Sequence, residues 1–222
     1  MNEYTPLARI KQIGVGLSFL LYPLFAGTAF AVHPNLLSLG ISHDVNEKIA
    51  EFHGNSLLHF GHVLMLLGAA LLIVVAVHLM NLMEKKAAWW GFLGGVLAVF
   101  GAVILAADKG ALCLVPSAFD TLPEADFRSL TPGIAAMFQY RGWLWLLWLL
   151  PILPLGFILQ TIGLVRSNLI SRWQSIPMLV GSILMVNPDI DLIGLVATIF
   201  LAIGFFPYAF QLFRSANSRS EK

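Results

Sequence analysis

His59 and His62 stand three residues apart in the run HFGHVLMLLGAALLIVVAVHLM, and Asn55 precedes His59 by four. On a helix turning about 100° per residue, these three fall within about 60° of one another and make one polar stripe on an apolar rod. His59 and His62 therefore act together if they act at all. His53 and His78 fall on other faces. Imidazoles paired at this spacing can ligate a metal ion, handle a proton or hold a haem iron.

Ligand arithmetic limits those chemistries. A metal-dependent hydrolase inside a membrane needs about three protein ligands and a bound water. No histidine follows His78, so Asp108, Asp189 or Asp191 would have to complete a metal set begun by His59 and His62. A bis-histidine haem would draw on His33 or His43, and a His–Met pair on Met137 or Met178. The sequence holds no G-x-S-x-G elbow and no glycine-rich phosphate loop. A net charge of +1, with its basic residues accounted for by topology, argues against nucleic acid as a partner.

The segments that must position these residues belong in lipid. Of 222 residues, 58% are apolar and only 11% charged, with a mean hydropathy of +0.82. A hydrocarbon core about 30 Å thick takes about 20 apolar residues per helix. The long apolar runs at 13–32, 56–82, 88–107, 142–165, 171–186 and 191–213 predict an all-α bundle of six transmembrane helices in a single domain over 1–222. The run at 171–186 is the shortest in its strongly apolar part, as in a tilted or half-length helix.

Charge sets the orientation. Arg9 and Lys11, Lys85 and Lys86, Arg166 and Arg172, and Arg214, Arg219 and Lys222 all fall on one side, which the positive-inside rule makes cytoplasmic together with both termini. The opposite loops hold the acidic majority. A rival reading takes Arg9 and Lys11, the first apolar run and Ala29-Phe30-Ala31 as a cleaved secretory signal. The six-span topology keeps that run as a helix. Lone Cys113 lies in an outer segment and allows no internal disulfide.

Two outer excursions are substantial. HDVNEKIAEFHGN reads as a short amphipathic helix, and TLPEADFRSL as a helix start at Pro123. A further start at Thr131-Pro132 predicts a fourth span that projects above the membrane before entering it. Gly91, Gly94, Ala98, Ala102 and Ala106 place small residues along one face of the third span, which predicts close packing and a central position.

Ionisable side chains at membrane depth are costly and gather in wet cavities or pair with one another. Those near the outer ends of different spans predict an outward-facing polar pocket lined by Asn55, His59, His62, Asp108, Arg141, Asp189 and Asp191. Simpler roles stand beside this one. Asn187-Pro188 reads as a helix cap, Arg141 as a side chain reaching for head groups, and Arg141 with Asp108 as a structural clasp.

The run HFGHVLMLLGAALLIVVAVHLM, the basic turn EKKAAWWGFLGG and the later LVRSNLISRWQSIPMLVGSILM resemble bacterial multi-pass membrane proteins in which a His-and-Gly helix precedes a Gly-rich one. The resemblance covers about two thirds of the chain, rests on motifs general to small-residue-rich helices, and implies a bacterial inner membrane but no activity. The expected function is an accessory, sensory or ligand-binding membrane component. Its partners would be the lipid bilayer and a small ligand or another membrane protein at the outer face. A metal- or haem-dependent membrane enzyme centred on His59 and His62 is the alternative, and a small transporter a third. Deep polar positions are few, among them Ser18, Tyr22, Gln160, Thr161 and Thr198, which disfavours a continuous hydrophilic path.

Overall fold

The computed structural model describes residues 6–39, 44–186 and 190–218. Among them there are helices and turns and no strands. Five helical segments are long and apolar enough to cross a membrane, Pro6–Ala31, Ser56–Met83, Ala88–Phe119, Gly142–Ser167 and Asp191–Ser218. Large apolar side chains point outward as well as inward, as Phe92, Val96, Phe100 and Val103 do along one flank of the third segment. That is the surface of a protein solvated by lipid.

In chain order the helices are α1 (Pro6–Ala31), α2 (Val45–Phe52), α3 (Ser56–Met83), α4 (Ala88–Lys109), α5 (Val115–Phe119), α6 (Glu124–Phe138), α7 (Ile152–Ser167), α8 (Arg172–Leu184) and α9 (Asp191–Ser218). A π turn at Gly110–Leu114 joins α4 to α5 without a break, and a 3-10 segment at Gly142–Leu149 leads into α7. The rod that begins at Ala88 thus continues to Phe119, well past the boundary expected near 107. The start expected at Thr131-Pro132 is also not realised. Pro132 lies inside α6, which began at Glu124 after Pro123, and the chain turns at Tyr140 and Gly142, both at positive φ, before the 3-10 segment.

Small residues set the packing. A Cβ on Gly156 would lie 2.3 Å from the backbone nitrogen of Ala98, and one on Gly101 2.4 Å from Cα of Leu153, so α4 and α7 touch backbone to backbone. Such approach replaces the missing hydrophobic drive between helices in lipid with dispersion contact. Helix α4 packs on α3 as well as α7, with Ala98 and Ala102 fully buried. On the other side of the bundle Gly16 meets Phe213 and Gly194 meets Phe30, which runs α1 antiparallel to α9. Gly204 lies against Gln174 and Gly181 against Ala197, so α8 runs antiparallel to α9 too.

Helices α2, α5 and α6 form a cap at one end of the bundle. Ile49, Phe127 and Ile134 make its small core. Asp44 caps α2 by accepting from the Asn46 N–H, and the chain then turns through Gly54, at φ +71°, into α3. A left-handed residue there lets the two helices meet at a corner, and glycine adopts it without a Cβ penalty.

Candidate functional site

The cap end of the bundle gathers ionisable side chains in two adjoining groups, with Phe52 between them. Its ring stacks on His62 at 5.6 Å and meets the edge of His59 at 4.3 Å. His59 and His62 share a helix face, yet each looks into a different group.

The first group lines an open cavity of about 610 Å³. His33 follows α1, His62 comes from α3, Asp108 and Lys109 end α4, and Asp191 begins α9, so four spans contribute. Asp108 is buried, and its carboxylate oxygen lies 3.0 Å from the Lys109 ammonium. A charge at this depth needs such a partner. His33 Nδ1 lies 3.1 Å from an oxygen of Asp191, tying the end of α1 to the start of α9, and the edge of its ring meets His62 at 5.3 Å. His62 is 8% exposed, and its buried Nδ1 has no hydrogen-bond partner among the described residues. Leu112 and Cys113, carried by the π turn, and Phe138 add an apolar wall. A π turn adds one residue to a helical turn and re-aims the side chains around it.

The second group is a knot of imidazoles and carboxylates. Asp120, just beyond α5, accepts from the Gly54 N–H at 2.7 Å and meets His59 Nε2 at 3.0 Å with the same oxygen. Its other oxygen bonds His53 Nδ1, while His53 Nε2 lies 3.2 Å from Glu124. Arg128 Nε donates to Glu124 at 2.7 Å, one turn along α6. His53 also stacks on Phe127 at 4.0 Å. The corner between α2 and α3 is thereby clasped to the start of α6.

Charge within the knot is mutually supporting. The hydrogen bond to Asp120, helped by Glu124, holds the His53 imidazole above its ordinary value against the opposing effect of burial. For Asp120 burial pushes upward, but His59, the Gly54 N–H and His53 together outweigh it and hold the carboxyl below its ordinary range. Glu124 is lowered by Arg128 first and His53 second. The carboxylates of Asp120 and Glu124 thus favour the charged form of His53, and His53 favours theirs.

Of the residues expected to line one pocket, His62, Asp108 and Asp191 share the cavity. His59 is turned to Asp120 instead. Asn55 caps α3, its side-chain oxygen accepting from Leu58 N–H at 3.1 Å. Arg141 is exposed where the 3-10 segment starts, and no clasp between it and Asp108 is present, because Lys109 holds that carboxylate. Asp189, and the Asn187-Pro188 cap, lie outside the described residues. The sequence alone does not single out Lys109, His53 and Asp120 as site members, and it offers His33 only as a haem ligand. Lys109 pairs with its neighbour Asp108, but the partners of the others are remote along the chain, and the one available signal is that they too stand at the same ends of the spans.

Among the described residues no group of three or more His, Cys, Asp or Glu side chains is arranged to hold a metal ion. His59 and His62, the pair considered for metal, are directed to separate groups by Phe52. Met178 is fully buried against Gly204, in the contact between α8 and α9. Compared with known proteins, the chain matches no family model, no curated relative and no solved structure. The fold and site define a helical membrane protein with an ionisable cluster at one end, and its function must be argued from that cluster.

Proposed function

We propose that the chain is a ligand-binding component of a bacterial inner membrane, sensory or accessory to another membrane protein, which takes a small molecule into the cavity from the outer face. The observation that carries this reading is the convergence of His33, His62, Asp108, Lys109 and Asp191 from four spans on one open cavity. Groups that cost so much to place near lipid are kept together where a polar guest can use them.

In this reading the bundle has six spans with both termini cytoplasmic. Helix α8 has 13 residues, about 20 Å of rise, and counts in this reading as the sixth, short span, which a locally thinned bilayer accommodates. Its pairing with α9, Gln174 beside Gly204 and Gly181 beside Ala197, supports a traverse in the opposite sense. The basic residues Lys85, Lys86, Arg166 and Arg172 stand at the end remote from the cap, which supports a cap outside. Deeper polar groups serve packing. Gln160 donates to the Ala76 carbonyl at 2.9 Å and Thr161 to that of Phe157 at 2.8 Å, which favours a binding protein over a conduit.

Cys113, the single cysteine, lines the cavity and provides the test. In intact cells a small membrane-impermeant thiol reagent modifies Cys113, and Ser38→Cys at the cavity rim in a Cys113→Ser background is modified faster. Protection of both positions from outside, with labelling only after the inner face is opened, would overturn the topology and the cavity's role together.

A further inference from the structure

We infer that the groove between α1 and α3, at the end of the bundle remote from the cap, holds one anionic phospholipid. Its phosphate lies beside Lys11 and Asn81, and an acyl chain runs along Val77, Val74 and Ile73. The groove is separate from the cavity at the cap end, and neither depends on the other.

The groove arises from how α1 divides its contacts. On α9 it is held from end to end, with Phe30 against Gly194 near the cap and, toward the other end, Gly16 against Phe213, Gln12 donating to Ser215 Oγ and Arg9 donating to Asn217 at 3.3 Å. On α3 its glycine contacts lie nearer the cap, where a Cβ on Gly61 would be 3.2 Å from Cα of Ala29 and one on Gly68 3.4 Å from the Tyr22 ring. Beyond Tyr22 no glycine draws α1 and α3 together, and a space of about 780 Å³ lies between them. His78 lines it, fixed by a 2.8 Å hydrogen bond between Nε2 and the Tyr208 hydroxyl of α9 and by an edge-on contact with Phe19 at 5.8 Å.

The lining is divided along the helix axes. Ile73, Val74 and Val77 of α3 and Gly14 and Val15 of α1 make its apolar part, with Val74 and Val77 more than a third exposed. Lys11 and Asn81 stand nearer the helix ends, both exposed, and neither side chain is paired with a described residue. From Asn81 to Ile73 is about 12 Å of helix, so one molecule can meet the polar pair and the apolar wall together. A phospholipid is divided in the same way.

Charge selects the head group. Among the described residues the groove has no carboxylate, and Glu84 is the one carboxylate at this end of the bundle. Against it stand Lys11, Lys85, Lys86, Arg166, Arg172 and Arg214. Basic pockets between spans take anionic head groups, and the field of such an end adds to the attraction. A zwitterionic lipid brings its own ammonium and gains less from the same field.

Native mass spectrometry of the full chain in detergent, titrated with phosphatidylglycerol or phosphatidylcholine of equal chain length, tests this. Expected is one phosphatidylglycerol bound about fivefold more tightly than phosphatidylcholine, with Lys11→Gln lowering it to the phosphatidylcholine level. Arg172→Gln, across the bundle at the start of α8, leaves the affinity unchanged. Gly14→Leu fills the groove, with no atom within 4 Å of its Cβ, and removes the bound lipid while the unfolding midpoint in lipid-free detergent is kept. Glycerol phosphate, which has the anion without the chains, does not displace the lipid. Equal binding of the two lipids, an equal loss in Lys11→Gln and Arg172→Gln, or full binding by Gly14→Leu overturns the site. Displacement by glycerol phosphate overturns the lipid as its occupant in favour of a soluble phosphate compound.

Discussion

His59 and Asp120 lie 61 residues apart in sequence and 3.0 Å apart in space, Nε2 to Oδ2. One carboxylate gathers the whole corner between α2 and α3, because the same group also takes the Gly54 N–H and His53. Replacing it strands several donors at once.

Asp120→Ala is therefore expected to destabilise the cap by about 2–3 kcal/mol, since donors lose their acceptor without regaining water in full. Glu124→Gln, at an exposed carboxylate, costs far less. Hydrogen exchange in α2 and α6 measures both. Equal protection in the two variants would show that Asp120 does not organise the cap.

The knot is also pH-dependent, with a sign that follows from its partners. His53 is raised from 6.5, so its contribution is complete below that value and is lost as pH rises through the higher folded value. Asp120 is lowered from 3.8, so its contribution is present above that value and is lost as pH falls through the lower folded one. Cap stability is expected to be highest at mildly acidic pH and to decline above neutrality. His53→Gln removes the alkaline decline in a hydrogen-exchange profile, and a profile identical to the parent's would contradict the assignment.

The contact between α4 and α7 predicts a sharp contrast between glycines. Gly156→Ala places a methyl 2.3 Å from the Ala98 nitrogen and must push two helices apart, an expected loss of about 1–3 kcal/mol or more. Gly133→Ala in α6 meets no atom within 4 Å and gains about 0.5–1 kcal/mol through helix propensity. Thermal unfolding in detergent ranks the two, and similar midpoints would refute the close seam.

Asp108→Asn leaves the Lys109 ammonium without its counter-charge in a largely buried setting, with an expected cost of about 3–5 kcal/mol. Asp108→Asn with Lys109→Met removes both charges and recovers most of that loss. A double variant no better than the single would mean that the pair is held apart by water in solution.

The helical class and the long apolar rods were legible because hydrocarbon imposes its length and polarity limits on every local window of sequence. The seam of Gly94, Ala98 and Ala102 was legible for the same reason, as small residues at helical spacing need no knowledge of the partner. His59 is different. It shares a stripe with Asn55 and His62, but Asn55 turns back to cap its own helix and His59 is claimed by Asp120, a residue no local period relates to it. The π turn after Lys109 was hidden too, since its sequence GALCL carries no residue that demands a wider turn. The helix therefore overran the boundary that Asp108 suggested.

The rod from Ala88 to Phe119 has 32 residues, about 48 Å at 1.5 Å each, whereas hydrocarbon occupies about 30 Å. About a third of its length is therefore more than a bilayer's hydrocarbon can cover, and the π turn that carries Leu112 and Cys113 falls in that surplus at the cap end.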